Sequence, residues 1–325
     1  MAHDFTAGAG PLIATTVAAG AACAGCWLGM RDREARGASD RVIVFSRFPK
    51  AGTTKTRLIP AVGQEGAAYL QRRMTESLLG ELTKLGRGGQ VGSSTLVELR
   101  HYGGSKKDME RWLDPQFGHG RLLMRPQPSQ GSLGLKIAES FRAAFAEGAQ
   151  RVCIVGCDIP ALTCAEVDAA FAALEGAPTN GKIVLGPAED GGYYLVALSR
   201  GVWEAHQRNQ QQRASAPDAL GLTTLEALFD GSKIAWGTET VRSQQLQVAA
   251  ELSIDAAVLP TVLSDVDEIE DISAAEKALG LGADILRAIT LAHQGVSARE
   301  VRDTQKAQPP GWHNGALCHG LPVNL

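Results

Sequence analysis

The chain has 325 residues, of which 44% are hydrophobic, so it is long enough and apolar enough to bury a large core. Its 32 basic and 35 acidic residues leave a net charge of −3, which excludes the long-range positive field of a general nucleic-acid or anionic-membrane binder. The six cysteines follow neither a disulfide-scaffold nor a zinc-site spacing, and this usage indicates a reducing compartment: Cys23, Cys26, Cys153, Cys157, Cys164 and Cys318.

The first 40 residues are predicted to form an extension outside the folded domain. Residues 11–30 carry no charge, but they are rich in Ala, Gly and Thr and no basic segment precedes them, which argues against a membrane-spanning helix. A targeting peptide, a weak anchor and a disordered extension all stay open. The predicted location is the cytoplasm or an organelle stroma or matrix.

The first predicted strand is the apolar, β-branched run at residues 41–47, which is followed by turn residues Pro49 and Gly52. A long helix is predicted next, because apolar side chains recur at steps of three and four over residues 67–85. The glycine-rich segment 86–94 then interrupts the pattern.

Strands and helices alternate through the rest of the chain. The next predicted strands are 95–102, 121–125 and 151–156, and the helices between them are 106–113 and 133–147. Thr163 and Glu166 form a capping-box pattern that starts another helix. The last predicted elements are strands at 182–185, 193–198 and 258–263 and helices at 223–229, 239–252 and after Asp267, whereas the polar stretch 207–214 is assigned to no element.

This alternation predicts one α/β domain over residues 41–280, with a mainly parallel sheet and helices on both faces. Residues 281–325 are predicted to form a helix at 283–291 and a tail that carries no motif. In such a sheet, ligands bind at the carboxyl ends of the strands. The loops that follow predicted strands are therefore the places to look for a functional site.

The loop after the first strand is the first candidate, a nucleotide-phosphate loop. It holds Lys50, Gly52, Lys55 and Arg57, so that cations and a backbone without a side chain come together where a phosphate can approach closely. The spacing is not that of a Walker A loop, and GxGxxG is absent. The alternative interpretation is a basic turn that only faces solvent.

Three carboxylates form the second candidate, a metal site. Asp158 follows the strand at 151–156, and Asp265 and Asp267 follow the strand at 258–263. Mg²⁺ and Mn²⁺ at nucleotide sites commonly bind one or two such carboxylates together with substrate phosphates. The alternatives are a structural turn residue for Asp158 and a helix N-cap, paired with Glu270, for Asp267.

Two further loops contain glycines. Asp190 stands beside Gly191 and Gly192 between two predicted strands and is a candidate catalytic base, although Asp-Gly is equally typical of a simple hairpin turn. The loop at 127–136 contains Gly131 and Lys136, which could close over the base or ribose of a nucleotide.

Five sequence blocks, in order, resemble a known family: FSRFPKAGTTKTRL (45–58), VGCDIPALT (155–163), VLGPAEDGGYYLVAL (184–198), LFDGSKIAWGTETV (228–241) and DVDEIEDI (265–272). The family is that of the GT-A-type glycosyltransferases known as selenodomain-associated transferases or arsenosugar-biosynthesis glycosyltransferases. It looks like a relative of the molybdopterin and phospholactate guanylyltransferases. The blocks span nearly the whole central domain.

The resemblance implies a GT-A, or nucleotide-diphospho-sugar transferase, fold that is Rossmann-like. It implies that Lys50, Gly52, Lys55 and Arg57 bind the nucleotide, that Asp158 binds the metal, and that Asp267 is the distal metal ligand with Asp265 as its alternative. It further implies that Asp190 faces the donor sugar or the acceptor, and that Tyr193, Trp236 and Thr238 lie on the acceptor side. Where the family often has Gly-Asp-Leu-Gly and then Arg, this chain has Ser132 and Lys136, which are not neutral exchanges in a polar site.

The predicted function is a glycosyltransferase that uses Mg²⁺ or Mn²⁺, a sugar nucleotide and a small-molecule acceptor, with no nucleic acid as partner. Two alternatives stay open, a nucleotidyltransferase that acts on a nucleoside triphosphate and a nucleotide-binding protein without catalysis. The base, the sugar, the acceptor and the oligomeric state are not predicted.

Overall fold

The computed structural model describes residues 39–85, 95–119, 122–128, 130–215, 224–282 and 285–294. The predicted N-terminal extension, apart from its last two residues, lies outside this part of the chain, and so do the break at 86–94 and the end of the tail. Within the described ranges, no helix combines the length and the apolar character that a membrane span requires.

Seven strands form one sheet in the order β3-β2-β1-β4-β6-β5-β7. Six of them run in the same direction, and only β6 is antiparallel to its neighbours β4 and β5. The prediction of a mainly parallel sheet is therefore confirmed. The strands are β1 (Asp40–Arg47), β2 (Thr95–Tyr102), β3 (Leu123–Pro126), β4 (Arg151–Gly156), β5 (Lys182–Pro187), β6 (Tyr193–Ser199) and β7 (Asp255–Val258).

Helices connect these strands and cover both faces of the sheet. They are α1 (Ile59–Leu82), α2 (Lys106–Phe117), α3 (Leu133–Ala146), α4 (Cys164–Ala173), α5 (Arg200–Ser215), α6 (Thr224–Leu228), α7 (Val241–Glu251), α8 (Ile272–Ala278) and α9 (Ile285–His293). Short 3₁₀ turns span Thr56–Leu58 and Ile269–Asp271. Side chains of α1, α2 and α4 pack on one face of the sheet, and those of α3, α5, α6 and α7 pack on the other.

The structure corrects two predicted elements. The strand predicted at 258–263 is β7, which ends at Val258; Pro260 lacks the N–H that a longer ladder needs, and only a single bridge, from Leu263 to Ala188, continues the pairing. The polar stretch 207–214 lies within α5, whose first turns bury Val202 and Trp203. Tertiary packing of those two side chains stabilises a helix that periodicity alone did not indicate.

Helix α9 packs against α1, so the folded unit continues past Gly280, where the sequence analysis ends the domain. Leu286 is completely buried in a small core with Leu58 of the preceding 3₁₀ turn, Leu70 of α1 and Ala275 of α8. The Thr290 hydroxyl donates a hydrogen bond to the carbonyl of Val62 and accepts one from the N–H of Gly66. These bonds lie beside Gly63, where a φ of 75° interrupts the helical backbone of α1.

Candidate functional site

A cleft of about 730 Å³ opens at the carboxyl ends of β1, β2 and β4. This is the edge at which the parallel strands of an α/β sheet present their loops. The predicted site residues that line it are Lys55, Arg57, Lys136, Asp158 and Asp267. Other lining side chains include Ser46, Arg47, Gln71, Tyr102, Gln127, Leu133 and Cys157.

The loop after β1 is held in shape by its own polar groups. The Thr54 hydroxyl donates to the carbonyl of Lys50 at 2.7 Å and accepts from the Lys50 N–H at 3.1 Å. Gly52 has a φ of 77°. Lys55 has a left-handed φ of 47°, which residues other than glycine rarely adopt. The loop therefore presents Lys55 to the cleft, whereas the Lys50 side chain is exposed to solvent and does not line it.

The Lys55 ammonium bridges the two carboxylates that the sequence predicts to lie together. Its Nζ lies 3.2 Å from Oδ2 of Asp158, 2.8 Å from Oδ1 of Asp267 and 2.7 Å from the carbonyl oxygen of Val266. Burial opposes a charged Lys55, since only 8% of its side chain is exposed, but the negative charges of Asp158 and Asp267 outweigh that effect and raise its pKa. One cation therefore joins segments more than 100 residues apart.

The backbone brings the two carboxylates to the same place. The N–H of Val266 donates to the carbonyl of Asp158 at 2.9 Å, which ties the segment after β7 to the end of β4. Gly156 gives the Asp158 carboxylate its space, because a Cβ at that position would lie 2.7 Å from Oδ1. The side chains of Asp158 and Asp267 are 38% and 46% exposed, so both can reach a ligand.

Asp267 is not the helix N-cap that the sequence analysis considers. The capping box at the following turn is formed by Glu268 and Asp271, and the Asp271 carboxylate accepts from the N–H groups of both Asp267 and Glu268. The Asp267 side chain is thereby left to face Lys55. The cap falls one residue later than predicted because the turn is a 3₁₀ helix that begins at Ile269.

Asp265 lies in the same field of negative charge, although it does not line the cleft. Burial, followed by the charges of Asp267, Asp158 and Asp190, raises the pKa of Asp265 to about 6. Within the described ranges, no group of three or more Asp, Glu, His or Cys side chains is arranged to hold a metal ion. The protein ligands that fit a divalent cation here are the two cleft carboxylates, Asp158 and Asp267, a number that suffices where substrate phosphates complete the coordination.

The Asp190 loop connects β5 to β6, which are antiparallel neighbours, so the Asp-Gly pair does make the hairpin turn. Asp190 is exposed, and its Oδ1 accepts from the Gly192 N–H at 2.9 Å. Gly191 has a φ of 86° and lies so close to Glu239 that a Cβ would come within 2.1 Å of its carbonyl oxygen. Asp190 therefore lies outside the lining of the cleft while its charge still acts on Asp265.

The residues predicted on the acceptor side form a separate packed group. The rings of Tyr193 and Trp236 meet edge to face, with centroids 6.4 Å apart, and the Tyr193 hydroxyl donates to Gln245 at 3.2 Å. The Thr238 hydroxyl donates to the carbonyl of Ala235. None of the three predicted residues lines the cleft, although Trp236 packs beside Gly134 at the start of α3.

The glycine-containing loop before α3 also places only one of its two predicted site residues in the cleft. Gly131, with a φ of 99°, is exposed and does not line the cleft, whereas Lys136 does. Ser132, at the position where the resembling family often has an acidic residue, is the N-cap of α3 and accepts from the N–H of Leu135. Ser132 therefore has a structural role in this chain.

The sequence analysis missed the polar floor of the cleft. The Ser46 and Thr75 hydroxyls lie 2.8 Å apart, and the Gln71 amide donates to Thr75 and to the Cys157 thiol. Cys157 is buried, and burial raises the pKa of its thiol. A glutamine in the apolar stripe of α1, one residue after Leu70, was the available signal for this cluster.

Residues 94–211 match the model of a bacterial family described as uncharacterised proteins conserved in bacteria, DUF2064. No curated protein is similar enough in sequence to match the chain.

Solved structures give the fold. A Desulfovibrio desulfuricans protein proposed to be a nucleotide-diphospho-sugar transferase aligns at a TM-score of 0.57 and 22% identity, over 81% of this chain and 98% of its own. A cytidylyltransferase from Leptospira borgpetersenii aligns at 0.43 and 9% identity, over 80% and 96% of the two chains. A 4-diphosphocytidyl-2C-methyl-D-erythritol synthase from Anaerococcus prevotii aligns at 0.41 and 12%, over 76% and 99%. The chain has the GT-A-like fold of the nucleotide-diphospho-sugar transferases.

Proposed function

We propose that the protein is a metal-dependent glycosyltransferase that takes a nucleotide-activated sugar as donor and a small molecule as acceptor. The observation that carries this proposal is the convergence of Lys55, Asp158 and Asp267 in one cleft at the carboxyl edge of the sheet. Cations beside a glycine-containing loop suit a diphosphate, and paired carboxylates suit a divalent cation that the diphosphate shares.

Lys55 and Arg57 are proposed to hold the diphosphate. Lys55 is buried against carboxylates, but its flexible side chain can exchange one carboxylate oxygen for a phosphate oxygen without leaving the cleft. Arg57 is largely exposed and pairs with Glu268 at 3.0 Å, a solvent-screened contact that costs little to exchange. Both cations would then stabilise the charge that develops on the departing nucleoside diphosphate.

Asp158 and Asp267 are proposed to hold Mg²⁺ or Mn²⁺. When bound, such an ion would neutralise part of the diphosphate charge. The protein's own contribution is to fix the two carboxylates, through the Val266–Asp158 backbone bond and the space left by Gly156.

In the reaction, an acceptor oxygen forms a bond to the anomeric carbon while the bond from that carbon to the diphosphate oxygen breaks. The electron pair of the broken bond leaves with the nucleoside diphosphate. The proton of the acceptor must go to a base, and Asp190 is our candidate because it projects from a loop beside the carboxylate cluster. Asp190→Asn should then reduce turnover by about 10²-fold or more while leaving donor affinity within about twofold.

Nucleotidyl transfer is the second candidate. The cleft is lined by four cations, Arg47, Lys55, Arg57 and Lys136, which is enough positive charge for a triphosphate. In that reaction the second substrate would attack the α-phosphate, and pyrophosphate would leave.

One experiment separates the candidates. Purified protein is incubated with a panel of sugar nucleotides or with nucleoside triphosphates, with and without Mg²⁺ or Mn²⁺, and free nucleoside diphosphate and pyrophosphate are both measured. Glycosyl transfer predicts metal-dependent nucleoside diphosphate that Asp158→Asn abolishes. Pyrophosphate from the triphosphates would instead favour the second candidate, and nucleotide binding without either product would leave a binding protein that does not catalyse.

A further inference from the structure

Three side chains of the cleft lining meet where β1 and β2 end. Arg47 and Tyr102 end neighbouring parallel strands and are direct partners in the β1–β2 ladder. The Arg47 guanidinium carbon lies 5.4 Å from the centre of the Tyr102 ring, and Nζ of Lys136, from α3, lies 5.1 Å from the same point. All three line the cleft, and Tyr102 is 46% exposed there.

The cations Arg47 and Lys136 differ from Lys55 and Arg57 because no carboxylate in the described part of the chain pairs with them. Lys55 and Arg57 are paired with Asp158, Asp267 and Glu268, whereas neither Arg47 nor Lys136 makes an ion pair with any residue that the structure describes. Arg47 donates one hydrogen bond, to the carbonyl of Thr53, and the other N–H groups of its guanidinium can bind a ligand. The negative face of the Tyr102 ring holds two like charges together, but an aromatic face does not cancel them.

The start of α3 adds to the same positive potential. Lys136 lies in the first turns of this 14-residue helix, whose N-terminus carries a partial positive charge. The first turn contains no acidic residue, and its N-cap is Ser132, at the position where the resembling family often has Asp. An aspartate there would offset the charge of Lys136, and the serine does not.

We infer that Arg47, Tyr102 and Lys136 form a second anion site, which binds a phosphate group carried by the co-substrate rather than the diphosphate of the nucleotide. This rests on the proposed function in one respect, that a nucleotide occupies the Lys55 end of the cleft. Tyr102 acts as a positioning residue, since it holds the two cations and contributes no charge. The co-substrate is accordingly a phosphorylated small molecule.

The test uses inorganic phosphate as the probe on the full-length protein. The protein is first saturated with Mg²⁺ and whichever of ADP, CDP, GDP and UDP binds best. Phosphate is then titrated by calorimetry, with acetate and chloride titrated at the same ionic strength. We expect phosphate to bind the saturated protein. Lys136→Gln should weaken phosphate binding by about tenfold or more, the loss typical of a charge-assisted hydrogen bond. Tyr102→Leu, which removes only the ring that positions the two cations, should weaken phosphate binding by a smaller factor. Lys107→Gln, on an exposed residue of α2 outside the cleft, should leave it unchanged.

Nucleotide affinity, measured on the same variants, should fall less than phosphate affinity, because the second anion site assigns Lys136 to the co-substrate and not to the base or ribose of the nucleotide. The inference is overturned if Lys136→Gln and Tyr102→Leu bind phosphate as tightly as the wild type, if acetate binds as well as phosphate, or if phosphate and nucleotide affinities fall together. The last outcome would place these cations in the nucleotide site. If no nucleotide binds, the phosphate titration is run on the protein alone, so that the second anion site and the proposed function are judged separately.

Discussion

The ammonium nitrogen of Lys55 lies 2.8 Å from Oδ1 of Asp267, a residue 212 positions further along the chain. This contact, with the one to Asp158, closes the carboxyl edge of the sheet around the cleft. Lys55→Met should lower the free energy of unfolding by about 1–2 kcal/mol, less than the loss of a fully buried pair costs, because the carboxylates that lose their partner are half exposed. Urea unfolding of the variant and the wild type measures this difference in the free energy of unfolding.

The matched control is Lys50→Met in the same loop. Lys50 is exposed and forms no ion pair with any described residue, so its removal should leave stability unchanged. Nucleotide affinity should fall in Lys55→Met and less in the control. Equal stability of the two variants would mean that the Lys55 contacts do not stabilise the fold.

Gly156→Ala is expected to displace the Asp158 carboxylate without unfolding the protein. The new Cβ would lie 2.7 Å from Oδ1 of Asp158, and the end of that side chain can rotate away. Thermal stabilisation by nucleotide in the presence of Mg²⁺ or Mn²⁺ should therefore weaken by about tenfold in apparent affinity, if the carboxylate loses one charge-assisted contact. Stabilisation by nucleotide alone should change less.

Gly80→Ala serves as the control for adding a methyl group. Gly80 lies inside α1, and a Cβ there meets no atom within 4 Å. Because alanine is the better helix former, this variant should be more stable by about 0.5–1 kcal/mol and bind nucleotide normally. Normal metal dependence in Gly156→Ala would contradict the role given to Asp158.

The convergence of the cleft residues could be predicted because each follows a strand of a parallel sheet. Lys55, Asp158 and Asp267 are far apart in sequence, but a rule about the carboxyl ends of strands places their loops at one edge. The same rule does not say how far along the edge a loop lies. It therefore did not separate Asp190 and Trp236, outside the lining of the cleft, from Lys136, within it.

Other important residues could not be predicted from the sequence, because the side chains that they contact are determined by tertiary packing. Arg41 and Glu98 are completely buried in adjacent strands and pair at 3.3 Å, with Glu147 at 2.7 Å from the same guanidinium nitrogen. A charged residue in an apolar strand suggests that the strand lies at the exposed edge of the sheet, unless the oppositely charged partner is known. The role of Tyr102 is likewise visible only when the folded chain brings Arg47 and Lys136 to its ring.

Glu76 joins α1 to α2 and should make stability depend on pH in the acid range. It is buried, and its carboxylate accepts hydrogen bonds from Arg72, Trp112 and Gln116. Burial opposes its ionisation, but these bonds outweigh burial and hold the pKa of Glu76 below its usual range. A depressed folded-state pKa means that the stabilisation is present above the pKa of an unfolded glutamate, about 4.3, and is lost as the pH falls through the folded value.

Glu76→Gln should accordingly lower the free energy of unfolding at pH 7 by about 1–3 kcal/mol and flatten its decline below about pH 4. Urea unfolding at a series of pH values measures both effects. Glu110→Gln in α2 is the control, since among the described residues Glu110 pairs with Lys106, 3.7 Å away on the surface. An acid decline as steep in Glu76→Gln as in the wild type would show that other carboxylates cause it.

Thr290→Val tests whether α9 is an integral part of the domain. Gly63 interrupts the helical hydrogen bonds of α1, and the Thr290 hydroxyl compensates by bonding to the Val62 carbonyl and the Gly66 N–H. Valine keeps the shape but removes both bonds, so two buried backbone groups lose their partner. The free energy of unfolding should fall by about 1–3 kcal/mol. Thr261→Val, in an exposed loop, should have no effect. If Thr290→Val were as stable as the wild type, the two hydrogen bonds of Thr290 would contribute little to the docking of α9 on α1.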